Sequence, residues 1–155
     1  MSCARAGIPY EVVPGVTSAV AVPASAGIPL THRGVASSFA VVTGHECEDG
    51  AGVDWASLAT SVDTIVVLMG LANLPRIART LVAHGRAPTT PVAVISAGTT
   101  DAARTITGTL DDIAPRVNAA DLAAPAVVVI GEVVALRGRP ARRGRIPDRR
   151  AEVPA

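Results

Sequence analysis

The chain has 155 residues, the length of one domain with a real core. An apolar content of 49% and a mean hydropathy of +0.41 exclude an intrinsically disordered protein. The net charge of +1 is uneven: residues 1–136 hold 7 Arg against 11 acids, and residues 137–155 hold 7 Arg against 2.

No apolar run reaches the roughly 18–20 residues that a membrane-spanning helix needs. The opening MSCARAGIPYEVV lacks the apolar stretch of a secretory signal. Cys3 and Cys47 are too few and too far apart for a zinc site, and read as unpaired thiols of a reducing cytosol. A cytoplasmic protein is expected.

In chain order, Glu11–Val13 is the first apolar β-type run. It meets Pro14-Gly15, after which Thr17–Ala26 is a short Ala-rich helix candidate. Phe39–Thr43 is a second run. Asp54 offers a capping carboxylate for a helix over Asp54–Thr60. Thr64–Met69 is a continuous apolar strand. Leu71–His84 carries Leu74, Ile77, Ala78, Leu81 and Val82 on one helical face, closed by Gly85. The strands Pro91–Ser96 and Thr105–Thr107 follow, then a helix over Asp111–Val117 and the strand Ala126–Ile130. Unbroken runs such as Ile65–Met69 and Val127–Ile130 suit strands buried on both faces. Strands alternating with helices give an α/β layer fold. Arg137–Ala155, rich in Arg, Pro and Gly without a period, reads as a solvated disordered tail. Its arginines have no aromatic residues among them, so it is not read as a nucleic-acid arm.

Ligands of open parallel sheets sit beyond the carboxyl ends of the strands, where loops lead into helices. Four corners have suitable residues. At Pro14-Gly15-Val16-Thr17-Ser18, Gly15 permits close approach, and Thr17 or Ser18 caps a helix whose free N–H groups suit a carboxylate or a ribose edge. An ordinary turn and cap has the same residues. At Val67-Leu68-Met69-Gly70, a buried strand ends in a thioether able to mould itself against a flat group, or simply to fill a core. At Ala93–Thr100, the strand exits through Gly98 with the hydroxyls of Thr99 and Thr100 nearby. Gly108-Thr109-Leu110 is either a turn with a cap or part of a pocket lining.

No nucleophile elbow, P-loop, GxGxxG or HExxH is present. His32, His45 and His84 read as capping or structural histidines, His84 in the last turn of its helix. No metal is assigned.

The ordered set AGIPYEVVPGVTSA, GIPLTHRG, VTGHE, DWASLA, DTIVVLMG, TPVAVISAGTT, RTITGTLDDIA and PAVVVIGEVV closely resembles the C-terminal part of the uroporphyrinogen-III C-methyltransferase family, among the tetrapyrrole methylases. The likeness runs from Ala4 to about Arg137. GIPLTHR with VTGH is its specific feature. Precorrin methylases, the ribosomal-RNA ribose methylase and diphthine synthase share the PG-x-[ST] corner without this combination.

The resemblance implies two α/β lobes with S-adenosyl-L-methionine folded into the cleft between them. Residues 1–16 would end the first lobe and form the hinge, and residues 17–136 would form the second, tetrapyrrole-methylase lobe. The implied cofactor contacts are Thr17, Ser18, Met69 and Gly98, with the backbone of Ala93. Ala103 stands where the family usually has a glutamine. The family's GxGPGD and GGDP-type loops do not occur, so a truncated chain, or one needing a separate N-terminal lobe or partner chain, is expected.

The implied reaction is C-methylation of uroporphyrinogen III to precorrin-2, on the way to siroheme and cobalamin, with S-adenosyl-L-homocysteine as coproduct. Its alternatives are a sibling precorrin methyltransferase and a non-catalytic remnant. The substrate's many carboxylates call for arginine, and Arg33 is the expected substrate contact. No residue is assigned as general base. The family also suggests a homodimer.

Overall fold

The computed structural model describes residues 2–45 and 52–138, so Cys47 and all of the tail beyond Gly138 lie outside the described residues. Four helices, α1 (Ser18–Ser25), α2 (Trp55–Ser61), α3 (Leu74–Ala83) and α4 (Ile113–Ala119), accompany five strands. The strands are β1 (Phe39–Thr43), β2 (Thr64–Leu68), β3 (Pro91–Ser96), β4 (Arg104–Thr109) and β5 (Ala126–Ile130). They form one sheet in the order β1-β2-β5-β3-β4.

The sheet is mixed. β1 and β2 pair in parallel, while β5 is antiparallel to both β2 and β3, and β4 is antiparallel to β3. β1, β2 and β3 therefore point one way, and β4 and β5 the other. The short β3–β4 connection suits an antiparallel pair, which needs no crossover helix.

The continuous apolar strands are buried on both faces, as their composition predicts. Ile65, Val67, Val92, Val94, Val128 and Ile130 face one cluster, closed by Trp55 of α2, Leu74, Ile77 and Leu81 of α3, and Ile113 and Val117 of α4. Val66, Ala93, Ile95, Val127 and Val129 face the other, closed by Ala19 and Val22 of α1 together with Ile28, Val133 and Val134. Three helices thus cover one face, and the short α1 with the 3₁₀ helix Glu132–Leu136 covers the other. Phe39 and Val41 lie in register with Thr64 and Val66 on this thinner side and remain 45% and 44% exposed.

The local signals hold at the helix ends. Thr17 Oγ1 accepts from Ala19 N–H at 3.3 Å, and Asp54 accepts from Ser57 N–H at 3.0 Å. Gly85, at φ 97, ends α3 after His84 as the left-handed residue that such a stop requires. Arg86 then turns its half-buried guanidinium onto the carbonyls that α2 leaves open, donating to Leu58, Ala59, Val62 and Asp63. Burial pushes its pKa down.

Glu11–Val13 is a correction: the run forms no strand, and Val12 and Val13 are 76% and 81% exposed. A strand needs a neighbour to bond its backbone, and none of the described strands pairs with this segment. Thr105–Thr107 is longer than expected, running from Arg104 to Thr109 along β3. Among the described residues, no helix is long and apolar enough to cross a membrane.

Candidate functional site

β5 lies between β2 and β3, and both Leu68 and Ile95 stand opposite Val127. The carboxyl ends of β2 and β3 therefore leave the sheet side by side, flanking the start of β5. Both exits bend sharply through residues with left-handed backbone: Met69 at φ 54 after β2, and Ala97 at φ 48 and Thr99 at φ 69 after β3. Only Asp121 adopts this conformation elsewhere among the described non-glycine residues. Such conformations are disfavoured for residues with a Cβ and concentrate where a ligand or mechanism requires them.

Between these exits lies a hollow of about 560 Å³, within the usual range for small-molecule sites. Val16, Ser18, Ala21 and Val22 line it from the first corner and α1, Leu68 and Met69 from the second, and Ala97, Gly98, Thr99 and Thr100 from the third. Met69 is 67% exposed, so its thioether faces the hollow and solvent rather than the core.

Hydrogen bonds fix the third exit. Ala97 N–H donates to Pro125 C=O at 3.0 Å, and Ser96 Oγ to Ala123 C=O at 2.5 Å. Thr100 Oγ1 donates to Ala97 C=O at 2.7 Å and accepts from Ala102 N–H at 3.2 Å. Ala103 donates its backbone N–H to Thr100 C=O at 3.1 Å. The wall is mostly apolar, with the hydroxyls of Ser18, Thr99 and Thr100 at its edge.

Of the expected cofactor residues, Ser18, Met69 and Gly98 meet at this hollow, with Thr17 next to it as the cap of α1. Ala93 does not reach it. It is fully buried in the middle of β3, opposite Thr107 and Val129, and its side chain joins the cluster beneath α1. A strand held on both sides uses its backbone groups in the sheet. Arg33 lies elsewhere. It shares a smaller hollow with His32, Ser37 and Asp63, and Asp63 precedes β2 whereas Met69 follows it. The two ends are roughly 20 Å apart at about 3.3 Å per strand residue.

The Gly108-Thr109 corner is at the opposite end of the sheet, opposite the start of β3. It is a turn closed by Asp112, which accepts from Thr109 N–H at 2.7 Å and pairs with Arg116 at 2.7 Å, and with Arg116 it also lines a separate hollow at that end of the sheet. His84 ends α3, and His32 Nδ1 lies 3.0 Å from Arg33 C=O. Val16 and Ala97 stand in the first and third corners of the sequence but are not among the expected contacts. Alanine is not a residue that announces a left-handed turn, and only the packing of α1 brings Val16 to the rim.

The chain is thus an α/β lobe whose mixed sheet carries a hollow where two parallel-pointing strands end side by side, the place where α/β sheets commonly hold ligands. Residues 2–114 match the family of Tetrapyrrole (Corrin/Porphyrin) Methylases, and the chain belongs to it. It is 51% identical over 137 residues to a siroheme synthase of Tolumonas auensis, covering 88% of this chain and 29% of that protein. Against a uroporphyrinogen-III C-methyltransferase of Methanocaldococcus jannaschii it is 52% identical over 130 residues, covering 82% of this chain and 53% of that one. Among solved structures, the uroporphyrin-III C-methyltransferase of Thermus thermophilus, complexed with S-adenosylhomocysteine, superposes with a TM-score of 0.72 at 38% identity, over 86% of this chain and 57% of its own. Cobalt precorrin-4 methyltransferase, at 22% identity and a TM-score of 0.75, shares the fold. The chain thus spans about half the length of these methyltransferases and under a third of the siroheme synthase.

Proposed function

We propose that the hollow at the ends of β2 and β3 is one wall of an S-adenosylmethionine site, and that the chain supplies this half of a uroporphyrinogen-III C-methyltransferase. The observation that carries the reading is the meeting of Ser18, Met69 and Gly98 around one hollow, with left-handed backbone at Met69, Ala97 and Thr99. The family relationship supports it.

The residues present fit the group. Gly98 lets α1 pack directly against the wall, Met69 offers a polarizable thioether to a flat base, and Thr17 and Ser18 bring hydroxyls and a helix N-terminus to a polar edge. When bound, the cofactor supplies an electrophilic methyl group for an electron-rich pyrrole carbon. The chain's own contribution is to hold and orient the cofactor, since such a transfer depends chiefly on in-line positioning. Ala93 supports the wall from beneath. Arg33 would reach a carboxylate at the rim of a large substrate, not the reacting carbon.

The wall is open on one side. Val12, Val13 and Val16 are 76%, 81% and 82% exposed along the segment leading into it. In our reading residues 1–16 are the hinge to a second lobe, on this chain or on a partner, that closes the site. Whether pairs of such chains then form a homodimer is a further part of the proposal.

Titration of S-adenosylhomocysteine into the 155-residue chain tests the cofactor reading. Micromolar to submillimolar binding that falls in Met69→Ala supports it, and no binding at millimolar ligand overturns it. Incubation with uroporphyrinogen III and methyl-labelled cofactor, alone and with an N-terminal lobe of a relative added in trans, tests the reaction. Label in the tetrapyrrole supports the assignment. No label with uroporphyrinogen III, but label when a later corrinoid intermediate is supplied in its place, points to a sibling methyltransferase.

A further inference from the structure

We propose that Asn73 is a positioning residue for Met69, acting through Gly44 at the end of β1. The inference rests on reading the hollow as a cofactor wall, and it adds the device that aims the thioether.

Asn73 stands at the N-cap of α3, where an asparagine normally accepts from a helical N–H, yet it makes no such bond. Its Nδ2 donates instead to Gly44 C=O at 2.7 Å, across 29 residues of sequence. Gly44 N–H in turn donates to Leu68 C=O at 2.7 Å. Leu68 and Asn73 bracket the loop that contains Met69, so one residue beyond β1 holds both stems of that loop.

The fit allows no slack. A Cβ at Gly44 would lie 2.3 Å from Gly70 Cα, and one at Gly70 would lie 2.6 Å from Val67 Cγ1. Gly44 and Gly70 are both buried, and Asn73 is half-buried. Met69 itself is 67% exposed and left-handed at φ 54. Little packing holds its side chain, and its backbone is in a basin that long side chains disfavour. Its direction is therefore set through the backbone, by the bracket from Gly44. The final bond of that bracket is the amide of Asn73.

The chain contains two methionines, Met1 and Met69, so methyl-¹³C-methionine labelling gives a readable signal that Met69→Leu assigns. The ligand-free 155-residue chain is compared with Asn73→Ser, which still caps a helix but is too short to reach Gly44, and with Asn73→Asp, which keeps the shape and loses the donor. In both variants the Met69 methyl resonance should shift and its order parameter fall. S-adenosylhomocysteine should then bind about five- to tenfold more weakly, as for the loss of one hydrogen bond. Arg116→Ala, at the far end of the sheet, should leave the Met69 signal in place and so exclude general loosening.

An unchanged methyl shift and order in folded Asn73→Ser and Asn73→Asp would overturn the proposal. Exchange of the Gly44 amide in the wild-type chain as fast as in an exposed loop would do so too, whether or not the variants fold. If S-adenosylhomocysteine leaves the wild-type Met69 signal unmoved, the cofactor reading fails by itself, while the ligand-free comparison still decides the role of Asn73.

Discussion

Gly98 lies so close against Val22 that a Cβ at position 98 would sit 2.4 Å from Val22 Cγ1 and 2.8 Å from its Cγ2. The exit of β3 and the inner face of α1 are thus in contact at the wall of the hollow. Gly98→Ala must push a stiff β-branched side chain or the helix that carries it. A loss of about 1–3 kcal/mol, the usual scale of overpacking, is expected in a denaturant titration, together with weakened binding of S-adenosylhomocysteine. Adding Val22→Ala should restore part of the stability, so the two changes should be strongly non-additive in a double-mutant cycle.

Met69 should separate binding from stability. Its side chain is mostly exposed, so Met69→Ala should change the unfolding free energy by less than about 0.5 kcal/mol while lowering affinity for S-adenosylhomocysteine. Met69→Gly relieves the left-handed backbone and should melt at or above the wild-type temperature, again with weaker binding. Calorimetry of melting and of ligand binding on the same samples checks both.

Arg86 acts on the fold alone. Its guanidinium donates to the open carbonyls following α2, and Arg86→Ala should cost on the order of 1.5–3 kcal/mol, the range for hydrogen bonds from a charged group. Lysine, with a single ammonium in place of the planar fork, should recover only part. The folded fraction should bind ligand normally, because Arg86 meets the start of β2, not its end.

Acid should weaken the fold through three carboxylates held below the ordinary value of 3.8. Asp54 is lowered by the Ser57 hydroxyl and backbone, Asp63 by the backbone and hydroxyls of Ser37 and Ser38, and Asp112 by the Thr109 backbone and then Arg116. A carboxylate whose folded pKa lies below its unfolded one contributes stability that is complete above the unfolded value. That contribution is lost as pH falls through 3.8 toward the folded pKa. The melting temperature should therefore hold steady from neutral pH to about 5 and fall below about 4. Asp63→Asn should flatten part of that fall.

Much of the fold was legible in the sequence. The unbroken run Ile65–Met69 suited a strand covered on both faces, and Leu74, Ile77 and Leu81 suited one face of a helix, because apolar surface is removed from water at the period of its element. Thr17, Asp54 and Gly85 marked helix ends by local chemistry. Glu11–Val13 misled, because its composition suits a strand and only a neighbouring strand could have made it one.

The sequence by itself marked most of the strands and helices, and through its family resemblance it singled out Ser18, Met69 and Gly98 as candidate cofactor contacts. Tertiary structure alone decided that these three share a hollow. Their convergence follows from β5 entering antiparallel between β2 and β3, a long-range register that no local residue pattern encodes. The same packing decided that Ala93 is sealed in the sheet, that Arg33 lies at the other end of β2, and that Asn73 reaches back to Gly44. Local periodicity fixes which atoms must leave water; which distant backbones then meet is fixed only when the layers pack.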